Sequence, residues 1–265
     1  RKALFAKASL RRRLGADGNE DEAAVSLALG EVRRRSSVAG ESYPFEVGGS
    51  GVRLRSVRGR AYEFLLICSL EEAPFRKSRD WSSAVRLFEH LAVLGLGQVF
   101  GPGTRALRFG HPPEAPRPSS FGDALEWLAA EIGHERGPGR PTGHEQDAGV
   151  DAVAWRPFRE GKAGFPVLLA QCTLQQDYES KGSDIVLNRW RNWIVLRRNP
   201  MCALVLPFAL GASSEVWEDL NFSLDVVVDR LRLCELLHHT DLEQWPQARH
   251  MNGWLEAQLS ELRLD

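Results

Sequence analysis

Residues 147–173 read DAGVDAVAWRPFREGKAGFPVLLAQCT. The run 150–158 and the run 165–173 are apolar, and REGKAG stands between them. Runs of this length bounded by glycine, proline and charge predict two strands joined by a turn. The second run is apolar without alternation, as in a strand buried on both faces. A short turn makes such strands antiparallel, so the start of one lies beside the end of the next. Asp151 begins the first strand and Gln171 ends the second. Both side chains therefore belong to one end of the sheet, and Asp147 in the preceding loop can reach it. An aspartate leading an apolar strand is costly without a partner, and together with the motifs described below that partner is read as a metal ion. The alternatives are ordinary ones: Asp147 and Asp151 as loop or capping acids, Gln171 as a residue that satisfies backbone groups.

The pattern continues on both sides. Downstream, residues 183–198 read as a helix, 201–210 as a buried strand, 224–229 as a further strand running into 230–239, and the rest as mainly helical. Upstream, 79–101 carries Trp81, Val85, Phe88, Leu91 and Leu94 or Gly95 at helical spacing, with Glu89 beside that stripe. Residues 101–118 are rich in proline and glycine, with ALRFG at 106–110 as a short strand. A helix follows at 119–133, capped by Ser119 or Ser120, then a polar loop at 133–149. Near the start, 2–15 and 20–35 read as two helices and 42–55 as a hairpin. The run 61–70 fits a buried helix or a strand. Arg11 to Arg13 and Arg33 to Arg35 are read as solvated helix ends rather than phosphate contacts.

The 265 residues hold one large domain or a core with additions. The hydrophobic fraction of 43% and charged fraction of 26% are those of a globular protein, and the formal net charge of −1 marks no general affinity for nucleic acid. Cys68, Cys172, Cys202 and Cys234 form no C-x-x-C pair, which points away from a disulfide framework or structural zinc and toward reduced cytoplasmic thiols. No apolar stretch is long enough for a membrane span, and no secretory signal pattern is present. Neither a P-loop nor G-x-S-x-G occurs. His238 and His239 are adjacent and expected to point apart; His134 and His144 fall in an exposed loop.

Three short motifs in order carry a resemblance. Phe88-Glu89 lies on the first of the core helices, DAGVD at 147–151 precedes a strand, and QCT at 171–173 ends the next. The chain over about 80–210 resembles the PD-(D/E)XK nuclease superfamily, most closely its Mrr-type restriction endonuclease branch. There the motifs are FE, D-G-G-I-D and Q-x-K; here Ala148 replaces a glycine and Thr173 replaces the lysine. The resemblance implies an α/β fold with an αβββαβ core of mixed sheet. That core would lie in 79–265, with an insertion at about 101–146, C-terminal helices, and a helical and hairpin extension over 1–78.

It also implies a metal-dependent nuclease that hydrolyses phosphodiester bonds, with DNA as the expected substrate and restriction or anti-phage defence as the setting. Mg²⁺ or Mn²⁺ would be held by Asp151, the Gln171 amide oxygen, the Cys172 backbone carbonyl, Glu89 and Asp147. Thr173 cannot carry the lysine's charge. Lys181 is the preferred replacement, because the chain can turn before the next helix and bring it back; Lys162 sits at the opposite end of the sheet. Glu89 could equally be a surface helix residue. Arg189, Arg191, Arg197 and Arg198 are candidates for phosphate contacts, while Trp190, Trp193 and Ile194 are expected to pack on the sheet. An ATPase or other subunit is a possible partner, since no sequence-reading module is evident. The rival reading is a nuclease fold that has lost catalysis and serves as a nucleic-acid-binding or partner-binding subunit; a third is a structural subunit docking through its N-terminal helices.

Overall fold

The computed structural model describes residues 18–48, 51–55, 59–211 and 215–262. A helix, α1 (Gly18–Ala39), precedes the hairpin β1 (Phe45–Gly48) and β2 (Gly51–Leu54). Then come α2 (Ala61–Cys68), α3 (Asp80–Leu96), β3 (Arg105–Arg108) and α4 (Phe121–Glu131). The strands β4 (Ala152–Trp155) and β5 (Val167–Cys172) follow, then α5 (Leu187–Trp193) and β6 (Met201–Val205). Next are α6 (Glu215–Ser223), β7 (Val226–Val228), α7 (Arg230–Leu236) and α8 (Ala248–Glu261).

Strands β3 to β7 form one five-stranded sheet in sequence order. The pairs β3–β4 and β4–β5 are antiparallel; β5–β6 and β6–β7 are parallel. The sheet is mixed and the fold is α/β. Its strands read as unbroken apolar runs because both faces are covered. Ala152, Ala154, Leu168, Ala170, Ala203 and Val205 face one core with α2, α3, α7 and α8. Val153, Trp155, Val167, Leu169 and Leu204 alternate to the other core, under α4, α5 and α6. The small side chains on the first face leave room for α3 to lie close to the sheet. The described part of 1–78 shares that first core: Tyr43, Tyr62, Phe64 and Phe75 are buried in it.

Several local expectations shift. The buried stripe of α3 runs through Ala84, Leu87, Phe88, Leu91, Ala92 and Gly95, while Trp81 and Val85 stay half-buried. The helix is covered on two sides, by the sheet and by α7. Gly95 is what admits α7, for a Cβ there would stand 2.5 Å from Leu233 Cδ1. Glu89, on a different face of the helix from Gly95, is buried against Arg108 and Gly110 at the end of β3. The helix expected over 183–198 is shorter: Ile194 turns to extended backbone and bridges to Arg136, so Arg197 and Arg198 lie beyond it. Helix α1 continues past Arg33–Arg35 to Ala39. The helix expected at 2–15 lies outside the described residues. The run 61–70 resolves as α2, Ser120 is the cap of α4, accepting from the Asp123 N–H, and α6 was not foreseen. His238 and His239 lie past the end of α7 with ring centroids 4.8 Å apart, rather than pointing apart on a helix. All four cysteines are free and buried.

The loop between α4 and β4 has little regular structure, yet it is pinned to α5. Gly137 N–H donates to Trp193 O at 2.7 Å and Gly139 N–H to Asn192 O at 2.9 Å. A Cβ on Gly137 would stand 2.2 Å from Asn192 O, a backbone atom with no room to yield. Gly137→Ala should lower stability by about 1–3 kcal/mol, read as a reduced denaturation midpoint; an unchanged midpoint would mean that this loop does not bear on α5 as described.

Candidate active site

The sequence turns sharply into β4. Ala148 adopts φ +52° and Gly149 φ +80°, both in the left-handed region. A Cβ on Gly149 would stand 2.9 Å from Asp184 O, so this turn needs its glycine twice over. Ala148 keeps a Cβ in a conformation that favours glycine. Its carbonyl accepts from Trp190 Nε1 at 3.4 Å, which ties the turn to α5. The strand then starts with a bulge. Ala152 is the register partner of Ala170, but the Asp151 N–H also donates to Ala170 O at 2.9 Å. Two residues thus face one, which re-aims the first of them.

Asp151 is anchored on three sides. Its carbonyl accepts from the N–H groups of Phe109 and Gly110, and Oδ2 accepts from the Cys172 N–H at 2.7 Å. Oδ1 has no hydrogen-bond donor among the described residues. Opposite stands Glu89 from α3, only 3% exposed. Its Oε2 accepts from Arg108 Nε at 2.6 Å, and the Arg108 side chain is 7% exposed. Arg108 also donates to the carbonyls of Gly110 and Pro112. Between the acids lies Gly110. A Cβ there would stand 3.0 Å from Asp151 Oδ1 and 3.0 Å from Glu89 Oε2. The two oxygens therefore flank a single point, and the missing side chain leaves that point open.

Electrostatics follow from this packing. Burial raises the Glu89 carboxyl well above its ordinary range, and Asp151 adds to the rise; Arg108 opposes it. Burial likewise raises Asp151, against the Cys172 N–H and Arg108, with Asp147 and Asp184 pushing the same way as burial. Asp151 keeps some accessible surface, yet burial remains the larger influence on it.

The other expected residues fall around this pair. Asp147 Oδ1 accepts from Gly149 N–H at 3.0 Å and Oδ2 from His111 N–H at 3.3 Å, so backbone donors occupy both oxygens. Gln171 Nε2 donates to Asp184 Oδ2 at 2.8 Å, while its Oε1 is buried with no partner. Lys181 Nζ meets the same Asp184 oxygen at 3.3 Å, so it joins the site through Asp184. What touches Asp151 from Cys172 is the N–H. Thr173 is buried and its hydroxyl accepts from the Gln175 N–H, forming a turn. Arg189, Arg191, Arg197 and Arg198 are exposed. Trp190, Trp193 and Ile194 are buried under the sheet, and Trp190 and Trp193 pack edge to face, so neither ring is free to stack on a base.

Arg108 and Asp184 were missed. An arginine within the short strand ALRFG was a usable signal, since a charge there needs a buried partner. Asp184 gave none, for its role depends on a turn at Tyr178–Ser183 that carries no apolar pattern. Among the described residues, no three His, Cys, Asp or Glu side chains converge as a metal set. The arrangement offers two raised carboxylates around an opening, one buried guanidinium and one unpartnered amide oxygen. No family model, curated protein or solved structure matches this chain.

Because both carboxyls titrate higher in the fold than in the unfolded chain, their contribution is intact at acid pH and is lost as pH rises from about 4 toward neutrality. Asp151→Asn keeps an oxygen for the Cys172 N–H and removes the charge. Without divalent metal, its melting temperature should gain on wild type between about pH 5 and about pH 8; a constant difference would contradict the assigned burial effect. Ala148→Gly should stabilise the fold by about 1 kcal/mol, by relieving the left-handed turn, read in the denaturation midpoint; destabilisation would mean the turn does not hold that conformation.

Proposed function

We propose that this chain is a Mg²⁺- or Mn²⁺-dependent nuclease with a restriction-endonuclease-like core. The observation that carries this is the opening at Gly110, flanked at equal distance by oxygens of Asp151 and Glu89. Two buried carboxylates facing one gap repel each other, and a dication relieves both the repulsion and the burial. The residues fit such an ion: Asp151 and Glu89 would hold it, with the unpartnered Gln171 Oε1 and the Cys172 carbonyl as neutral oxygens. When bound, the metal polarises a phosphodiester and makes its bound water more acidic. Asp147 shapes the turn that sets Asp151. Arg108 fixes Glu89 and places a positive charge beside it. Lys181, turned toward Gln171 by Asp184, is the group proposed to assist the attacking water. The order α3, β3, β4, β5, α5, β6, with α4 inserted between β3 and β4, also supports the reading, since apart from that insertion it follows the αβββαβ pattern of the resembled superfamily.

DNA as substrate and a role in restriction or anti-phage defence belong to the same proposal and rest on that resemblance; an ATPase or other subunit as partner rests on the lack of an evident sequence-reading module, and a cytoplasmic setting on the four free thiols. The exposed Arg189, Arg191, Arg197 and Arg198 would meet phosphates. A second reading draws on a different observation. Thr173 is committed to a turn and Arg108 already balances Glu89. A fold that binds nucleic acid or a partner without cutting is compatible with both.

Plasmid, single-stranded DNA and RNA incubated with Mg²⁺ or Mn²⁺ test the choice. Wild type should cleave at least one of them. Asp151→Ala and Gly110→Ala should each lose at least about 100-fold, the latter by filling the opening without altering a charge. Lys181→Ala should lose about 100-fold in kcat with little change in KM. Full activity of Gly110→Ala would sink the metal assignment, and full activity of Lys181→Ala would leave Arg108 as the site's working cation. Binding without cleavage by wild type would favour the second reading.

A further inference from the structure

Among the described residues, strand β3 is an outer strand of the sheet, paired only with β4. The Phe109 N–H donates to Asp151 O across that pair. Alternation then turns the main-chain groups of Ala106 and Arg108 away from β4. They face a groove of about 550 Å³ between α3 and α4, bounded by His90, Trp127, Trp155 and the segment Glu114–Pro116. The groove and the candidate active site meet at Arg108, which lines the first and holds Glu89 in the second.

The groove's surfaces are of two kinds. Leu107 and the half-buried Trp127 give an apolar wall. The edge of β3 gives backbone donors and acceptors. A nucleobase has the matching pair of surfaces, an apolar face and a polar edge. On the rim, Arg105 is exposed, and Arg86 pairs with Glu114 at 2.9 Å, which His90 also contacts at 2.9 Å. The Glu114 charge is thereby balanced; of the two remaining charges on the groove, Glu131 lies on the α4 side and Arg105 on the β3 side, where it can meet a flanking phosphate. A base paired in a duplex cannot enter such a groove, because its polar edge is already occupied.

We propose that the groove beside β3 binds one unpaired base of the nucleic-acid strand whose backbone lies at the Asp151–Glu89 site, with Trp127 as its stacking surface. This rests on the nuclease reading and adds a preference for single-stranded or locally opened substrate. The test is binding, in EDTA, of a short labelled single-stranded oligodeoxynucleotide, intact or with one abasic site moved along it. Wild type should show one position at which the abasic site weakens binding about tenfold or more. Trp127→Ala should lose a similar factor on the intact strand and become indifferent to that position, and Trp127→Phe should restore it. Arg105→Glu, at an exposed residue, should weaken binding of every strand while leaving the positional profile in place. A flat scan with wild type, or a scan unchanged by Trp127→Ala, overturns the proposal. So does a dimer in sedimentation that dissociates with Trp127→Ala, for the groove would then hold a strand of a second copy. If wild type cleaves with Mg²⁺ but its scan is flat, only the base groove falls; if it neither binds nor cleaves, the nuclease reading falls with it.

Discussion

Glu89 and Arg108 meet at 2.6 Å with both side chains almost fully buried. Taking two such charges out of water costs several kcal/mol each, and an apolar pair of similar volume would often serve stability as well. The pair persists next to Asp151, a third charge that burial also disfavours. Three ionisable groups at one end of a sheet, whose strands are otherwise apolar, oppose folding at neutral pH. Their backbone anchors offset part of that. The Cys172 N–H holds Asp151, and the carbonyls of Gly110 and Pro112 hold Arg108. What the anchors leave unbalanced is the space at Gly110, and that imbalance is the physical basis of the metal reading.

The rest of the fold serves this geometry. Antiparallel β3, β4 and β5 bring Arg108, Asp151 and Cys172 to one end from three separate places in the chain. Helix α3 lies on the face lined by Ala152, Ala154 and Ala170, close enough to put Glu89 beside them. The bulge at Asp151 and the left-handed turn before it set the direction of that carboxylate. Trp190 holds the turn from the opposite layer. A phosphate-binding role for the arginines near α5 fits an exposed rim, while the tryptophans between them belong to the core.

Much of this was legible in the sequence, for identifiable reasons. Strands β4, β5 and β6 are short apolar runs with sharp boundaries, and the six residues of REGKAG left no choice but an antiparallel pair. That alone brought Asp151 and Gln171 to one end. Glu89 was placed beside the apolar stripe of its helix, but its burial comes from Arg108 and Gly110 at the end of β3, a contact that helical spacing does not encode. Arg108 was hidden because a four-residue strand in a proline-rich segment gives little pattern. Gln171 was expected to offer its amide oxygen to a metal; in the fold Asp184 takes the nitrogen and the oxygen is buried without a partner. Lys181 was foreseen as turning back toward Asp151; its observed partner is the nearby Asp184, three residues on. The shortened α5 followed from a bridge between Arg136 and Ile194 that local helical spacing does not encode.

The central claim is that Asp151 and Glu89 share an ion at the opening beside Gly110. The most direct measurement is anomalous diffraction from crystals of the wild-type protein soaked in Mn²⁺. A single strong peak within coordination distance of Asp151 Oδ1 and Glu89 Oε2 is the result this account requires. Mn²⁺ bound elsewhere, with the space at Gly110 empty at saturating metal, would contradict it.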